Sequence, residues 1–155
     1  MNGRSMGRSR WRVLQRVAGL TAREIADLAL AQQQLCLAWW IVRRRGTGCL
    51  LHRAPESDTS AVRRGDQWIV RMATAVDRVA RLGLFRPTCL IRSIALERLI
   101  DRAGCGGAIV RVGVLRQGDT LLAHAWIELD DRVIGDEPAF VRRFTPLQPF
   151  SALSR

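Results

Sequence analysis

The chain has 155 residues, 48% of them apolar, and its 25 basic and 14 acidic side chains give a formal net charge of +11. That apolar share excludes a disordered chain and the length suits one core, so a single globular domain over residues 1–155 is expected. Every basic residue is arginine. The charge suits an acidic partner, but the Arg runs at 43–45, 63–64 and 142–143 are scattered and no aromatic residues interleave them, so no nucleic-acid partner is expected.

In chain order, residues 1–10 are basic and Gly/Ser-rich and are expected to be disordered. No apolar segment of signal-peptide type follows, so a cytoplasmic location is expected. Residues 11–59 form a helical N-terminal part. Its helix starts at Thr21-Ala22-Arg23-Glu24, a capping box in which Thr and Glu satisfy each other's free backbone donors. Ile25, Leu28, Leu35, Trp39 and Val42 recur at helical spacing on one face, with Gln32 as its polar intruder. Three arginines and Gly46 end the helix in the cationic, glycine-stopped manner. The most apolar run, 35–42, is too short to span a bilayer, so no membrane span is expected.

Residues 46–60 read as a loop. A second helix begins near Asp66, with Ile69, Met72, Ala73, Val76, Val79 and Ala80 on its apolar face and Gly83 at its end. A third helix follows Pro87. Thr88 is its N-cap, Leu90, Ile91, Ile94, Ala95 and Leu99 form its stripe, and Gly104 stops it. Residues 108–115 are β-branched and read as a strand, with a turn at 117–119. From 120 to 129 the pattern alternates: Leu121, Ala123, Ala125, Ile127 and Leu129 point one way, Leu122, His124, Trp126 and Glu128 the other. A return strand at 132–136 follows a turn at Asp130-Asp131. Helices first and an antiparallel sheet second make the fold class α+β.

The cysteines are Cys36, Cys49, Cys89 and Cys105. In a reducing compartment an even number does not imply disulfides. Cys49 and His52 have a ligand-like spacing, but one pair does not make a zinc site, and neither a metal nor a cofactor is expected. Cys89 is different because it falls in the first turn of the third helix. Unpaired amides and the helix dipole there favour a thiolate, the reactive form of cysteine. His124 sits mid-strand, off the aliphatic face, where an imidazole could serve that thiol as base. A third group must orient the imidazole. Glu128 shares its face but lies about 13 Å along the strand. The return strand brings back Asp136 or Glu137. A two-residue turn at 130–131 pairs His124 with Glu137, and a three-residue turn at 129–131 pairs it with Asp136. Asp130-Asp131 lacks the glycine of a tight primed turn, which favours the longer turn and Asp136.

Cysteine on a helix start, histidine on a strand and aspartate on the next strand is the layout of papain-like and transglutaminase-like enzymes. The segments Pro87-Thr88-Cys89-Leu90-Ile91-Arg92-Ser93, Ala123-His124-Ala125-Trp126-Ile127-Glu128 and Gly135-Asp136 resemble the leader peptidases of lasso-peptide biosynthesis, which are small transglutaminase-like cysteine proteases. The resemblance covers roughly residues 60–140, and the protease core is placed at 60–155. It implies that Cys89 is the nucleophile, His124 the general base and acid, and Asp136 the orienter. Arg92, Ser93 and Trp126 become candidates for the substrate groove. The implied partners are a precursor peptide carrying a leader, a separate leader-recognition protein and a lasso cyclase, since no three-stranded recognition module precedes the core. Two other classes use the same residues differently. One is an acyltransferase or amidase with the same triad and a small-molecule substrate; the other is a non-catalytic basic binding module, in which Cys89 is dispensable.

Overall fold

The computed structural model describes residues 19–45, 65–105 and 107–147, so Cys49, His52 and the expected loop at 46–60 lie outside the described residues. Within these, the elements run α1 (Ala22–Arg45), α2 (Asp66–Leu82), α3 (Cys89–Arg102), β1 (Ile109–Gln117), β2 (Thr120–Leu129), β3 (Arg132–Ile134), α4 (Pro138–Val141) and β4 (Thr145–Pro146). The fold is α+β: α1 to α3 on one side of an antiparallel sheet of order β3-β2-β1-β4, and the short α4 on the other.

The capping box of α1 forms as its sequence dictates. Thr21 N donates to Glu24 Oε2 at 2.8 Å, and Glu24 N donates to Thr21 Oγ1 at 3.2 Å. The buried face of α1 is Ala31, Gln34, Leu35 and Ala38, a narrower stripe than the large apolar residues suggest. Ile25 and Trp39, expected on the core face, are exposed. The reason is that α2 and α3 cover the stripe through Ala31, Gln34, Leu35 and Ala38, and Ile25 and Trp39 lie off it. Polar ties fix the helices: Arg71 Nε donates to Asp27 Oδ2 at 2.7 Å between α2 and α1, and Arg98 Nε donates to Gln34 Oε1 at 3.4 Å between α3 and α1. Although the run at 35–42 is short, the whole helix Ala22–Arg44 is long and apolar enough to cross a membrane by length and composition.

Helix α2 buries Ile69, Met72, Val76, Val79 and Ala80 as its spacing requires, and Ala73 is half-buried. Gly83 is needed for close approach: a Cβ there would lie 2.5 Å from Gln32 Oε1 and from Val79 O. Helix α3 is central, packed on α1 and α2 and on the sheet. Its ends are set locally. The Thr88 hydroxyl accepts from Ile91 N at 3.4 Å, and Gly104 takes a left-handed φ of 73° at the stop. Ile91, Ile94, Ala95, Leu99 and Ile100 are buried. Each large side chain so buried contributes about 1.5–3 kcal/mol.

The sheet separates two apolar clusters. Ile127 and Leu129 join the helices in the main core. On the other face Trp126 packs with Val141 and Phe144, residues that α4 and the turn after it bring back. The β2–β3 register pairs Leu129 with Arg132 and Ile127 with Ile134. The connection is therefore the two-residue turn Asp130-Asp131, not the three-residue one expected. Both aspartates take left-handed φ, 48° and 60°. That is the primed geometry matching strand twist, and Asp tolerates it better than most residues.

Candidate active site

Cys89 is the first residue of α3. The Thr88 cap takes the Ile91 amide, and the amides of Cys89 and Leu90, which have no acceptor within the helix, are placed to stabilise negative charge near the thiol. The thiol is free and half-buried. It lines a cavity of about 20 Å³ together with Ala73, Arg92, Ser93, Ile127, Gly135 and Asp136. That is room for about one water molecule.

The imidazole is built from the sheet. His124 and Trp126 point to the α4 side, and His124 Nε2 lies 3.2 Å from Asp136 Oδ2. The side chains of His124 and Asp136 are 14% and 22% exposed, so the pair is partly shielded from solvent, where a hydrogen bond to a carboxylate holds more firmly than at the surface. The register alone would have set Glu137 opposite His124. What delivers Asp136 is the end of β3 at Ile134 and the left-handed Gly135, φ 78°, which turns the chain out of the strand. Glu137 instead occupies the N-cap position of α4, with its side chain exposed and making no cap hydrogen bond.

Because β3 pairs only with Ile127 to Leu129, it leaves that edge of β2 unpaired towards His124. At this open edge Asp136 faces both ways: it lines the cavity of Cys89 and meets the imidazole. Nε2 meets the carboxylate, and Nδ1 is the ring nitrogen left outside that contact. Among the described residues no hydrogen bond joins Cys89 Sγ to His124. The histidine–aspartate pair is assembled, and the thiol stands beside its carboxylate member.

The imidazole is boxed by aromatic rings. Phe140 lies edge-on at 5.2 Å, Phe144 at 5.3 Å and Trp126 nearly parallel at 6.3 Å between centroids. Gly113 lies opposite His124 across β1–β2. A Cβ there would come within 2.8 Å of the Trp126 ring, so its absence makes room for the indole. Phe140 and Phe144 escape a reading by periodicity. The available signal was Glu137-Pro138, a proline at the first helical position that starts a short helix and returns the chain to the sheet.

The other expected groove residues separate. Arg92 is half-exposed, lines the cavity one turn after Cys89 and pairs with Asp77, Nη2 to Oδ1 at 3.3 Å. Ser93 lines the same cavity and is buried. Trp126 is 1% exposed and donates from Nε1 to Glu128 Oε1 at 2.9 Å. It therefore supports the imidazole from behind and does not wall a groove. Cys36 accepts from Gln32 Nε2, and Cys105 is buried. Among the described residues no three His, Cys, Asp or Glu side chains converge as a metal set.

The sequence pattern of the transglutaminase-like superfamily matches residues 33–149. The match begins inside α1, earlier than the resemblance read from residues 60–140, so the second half of that helix belongs to the family's core. No curated protein and no solved structure matches the chain significantly.

Proposed function

The chain belongs to the transglutaminase-like superfamily, a class of cysteine-protease and acyltransferase type, and from that premise we propose that it is a cysteine peptidase that removes the leader from a ribosomally made lasso-peptide precursor. The observation that carries the reading is Asp136, hydrogen-bonded to His124 and lining one cavity with a thiol on a capped helix start. The motif around Cys89 and the His-Ala-Trp-Ile-Glu segment support the leader-peptidase reading by their resemblance to that family.

In this reading His124 Nδ1 takes the proton of Cys89 as Sγ attacks the carbonyl carbon of the last leader residue. The carbonyl oxygen becomes an oxyanion, and first-turn amides of α3, including that of Cys89, are its donors. The C–N bond breaks as the imidazolium returns its proton to the departing amine, the new N-terminus of the core peptide. A water then adds to the thioester, gives its proton to His124 and releases the leader as a carboxylic acid with the thiol restored. Asp136 holds the ring through Nε2 and stabilises its charged form, without itself accepting the proton. A separate recognition protein supplies leader affinity by raising local concentration, and a cyclase takes the freed amine.

The test is cleavage of a precursor peptide followed by mass spectrometry, with the recognition protein present, comparing wild type and Cys89→Ala. Release of an intact leader by wild type alone is the expected result. Cleavage by both variants removes Cys89 as nucleophile. Absence of cleavage by folded wild type, with transfer of an acyl group to an added amine, favours the acyltransferase class.

A further inference from the structure

The C-terminal half of α1 carries a surface that the chemistry at Cys89 leaves unused. Trp39 and Trp40 are 42% and 49% exposed, an unusual outlay of indole surface for a helix that could have buried it. Each ring has an arginine one turn further on: Arg43 Cζ lies 5.3 Å from the Trp39 ring centroid and Arg44 Cζ 4.8 Å from that of Trp40. Neither guanidinium has an ion-pair partner among the described residues, whereas Arg71, Arg111 and Arg132 are neutralised by Asp27, Glu128 and Asp66. A guanidinium stacked on an indole is held flat, with its N–H donors at the rim directed to solvent and ready for a carboxylate.

This ridge is not isolated from the active site. Trp39 meets Phe85 at 6.3 Å between ring centroids. Phe85 belongs to the short segment between α2 and α3, where Leu84 is 83% exposed, and Leu82, the last residue of α2, is 75% exposed. From Phe85 to Cys89 is at most about 14 Å of chain. Exposed aliphatic and aromatic surface, edged by arginines that have no ion-pair partner among the described residues, thus leads from the end of α1 to the helix that bears the thiol.

We propose that this surface binds an acidic, apolar segment of the substrate peptide, with Trp39, Leu84 and Phe85 taking its apolar side chains and Arg43, flanked by Arg44, its carboxylates. The assignment rests on the peptidase reading above and adds the charge class of the substrate to it. A nucleic acid fits less well, because each indole already has a guanidinium over a face on which a base would stack. A membrane surface fits less well too. Successive residues on a helix diverge by about 100°, so the two indoles do not share one plane of insertion.

The experiment is fluorescence anisotropy with the full chain and a fluorescein-labelled peptide of alternating Glu and Leu, against its Lys/Leu counterpart. Binding of the Glu/Leu peptide, weakened by salt, is expected, with no binding of the Lys/Leu peptide. The doubly substituted Arg43→Glu/Arg44→Glu variant and Trp39→Ala, both at exposed positions, should each weaken it about tenfold or more. Cys89→Ala should bind like wild type. A failed peptidase reading would therefore appear as lost cleavage with binding intact, while a failed docking surface would appear as binding that ignores the ridge. Equal binding of the two peptides overturns the proposal. So does unchanged affinity in the ridge variants, or binding of anionic vesicles or of single-stranded DNA that the same substitutions abolish.

Discussion

Gly135 is the residue on which delivery of Asp136 depends, and Gly135→Ala tests that dependence. Its φ of 78° costs an L side chain about 1–2 kcal/mol. An added Cβ would also lie 3.1 Å from Leu96 Cδ2, and Leu96 is buried in the main core. Forcing that side chain off its rotamer adds about 0.5–1.5 kcal/mol. The sum, about 1.5–3.5 kcal/mol, lowers the melting temperature of a chain this size by about 3–14 °C. Gly118→Ala is the internal control: its φ is 60°, yet nothing lies within 4 Å of an added Cβ, so it carries the conformational cost alone. Thermal unfolding of wild type and both variants by circular dichroism separates the two contributions. The His124 Nε2 proton resonance then reports whether Asp136 has moved. If Gly135→Ala melts with wild type, or no lower than Gly118→Ala, the claim that the turn is held by both backbone and Leu96 is wrong. If stability falls but the His124 resonance is unchanged, Gly135 matters to folding and not to the position of the carboxylate.

Other substitutions probe the remaining supports. Asp136→Asn keeps the shape of the side chain but removes its charge, and peptide cleavage should fall by about 10²-fold or more, in kcat more than in KM. Trp126→Ala should cost about 3–5 kcal/mol in denaturant unfolding, because the indole is buried and its removal leaves a cavity; Trp126→Phe should restore most of that. The Glu24 carboxyl sits below its ordinary value of 4.5 because the Thr21 backbone N–H and hydroxyl bond to its charged form. Its contribution is thus complete above the unfolded-state value and is lost as pH falls through the lower folded-state one. Glu24→Gln should flatten the stability profile in that acid range, read by urea unfolding as a function of pH.

The helices were legible because their signals are local: the Thr21–Glu24 box, the Thr88 cap and the stripe of α2 each act within a turn or two. The alternation of β2 likewise gave the correct faces for His124 and Ile127. Asp136 was reached through a turn one residue too long. Two errors offset each other there, since the turn is short but the strand also stops short at Ile134 and turns out at Gly135. Neither the left-handed aspartates nor that exit leaves a strong mark in a pattern of apolar residues. Trp39 was assigned to the core on spacing, but spacing does not say which stripe a neighbour will cover. The phenylalanine box around His124 depends on a helix of one turn and a strand of two residues, elements too short to have a period.

The loop between Arg102 and Ile109 also divides the molecule chemically. Everything proposed to act as nucleophile precedes it, and the base, its carboxylate and their aromatic box follow within one hairpin and its return. Two polypeptides divided in that loop would each be inert. The first would carry a thiol with no acceptor for its proton, and the second an oriented imidazole with nothing to activate. Hydrolysis would appear only when α3 docks on β2, so the rate would count associated pairs, and the enzyme could be remade as a reporter of whatever brings its halves together.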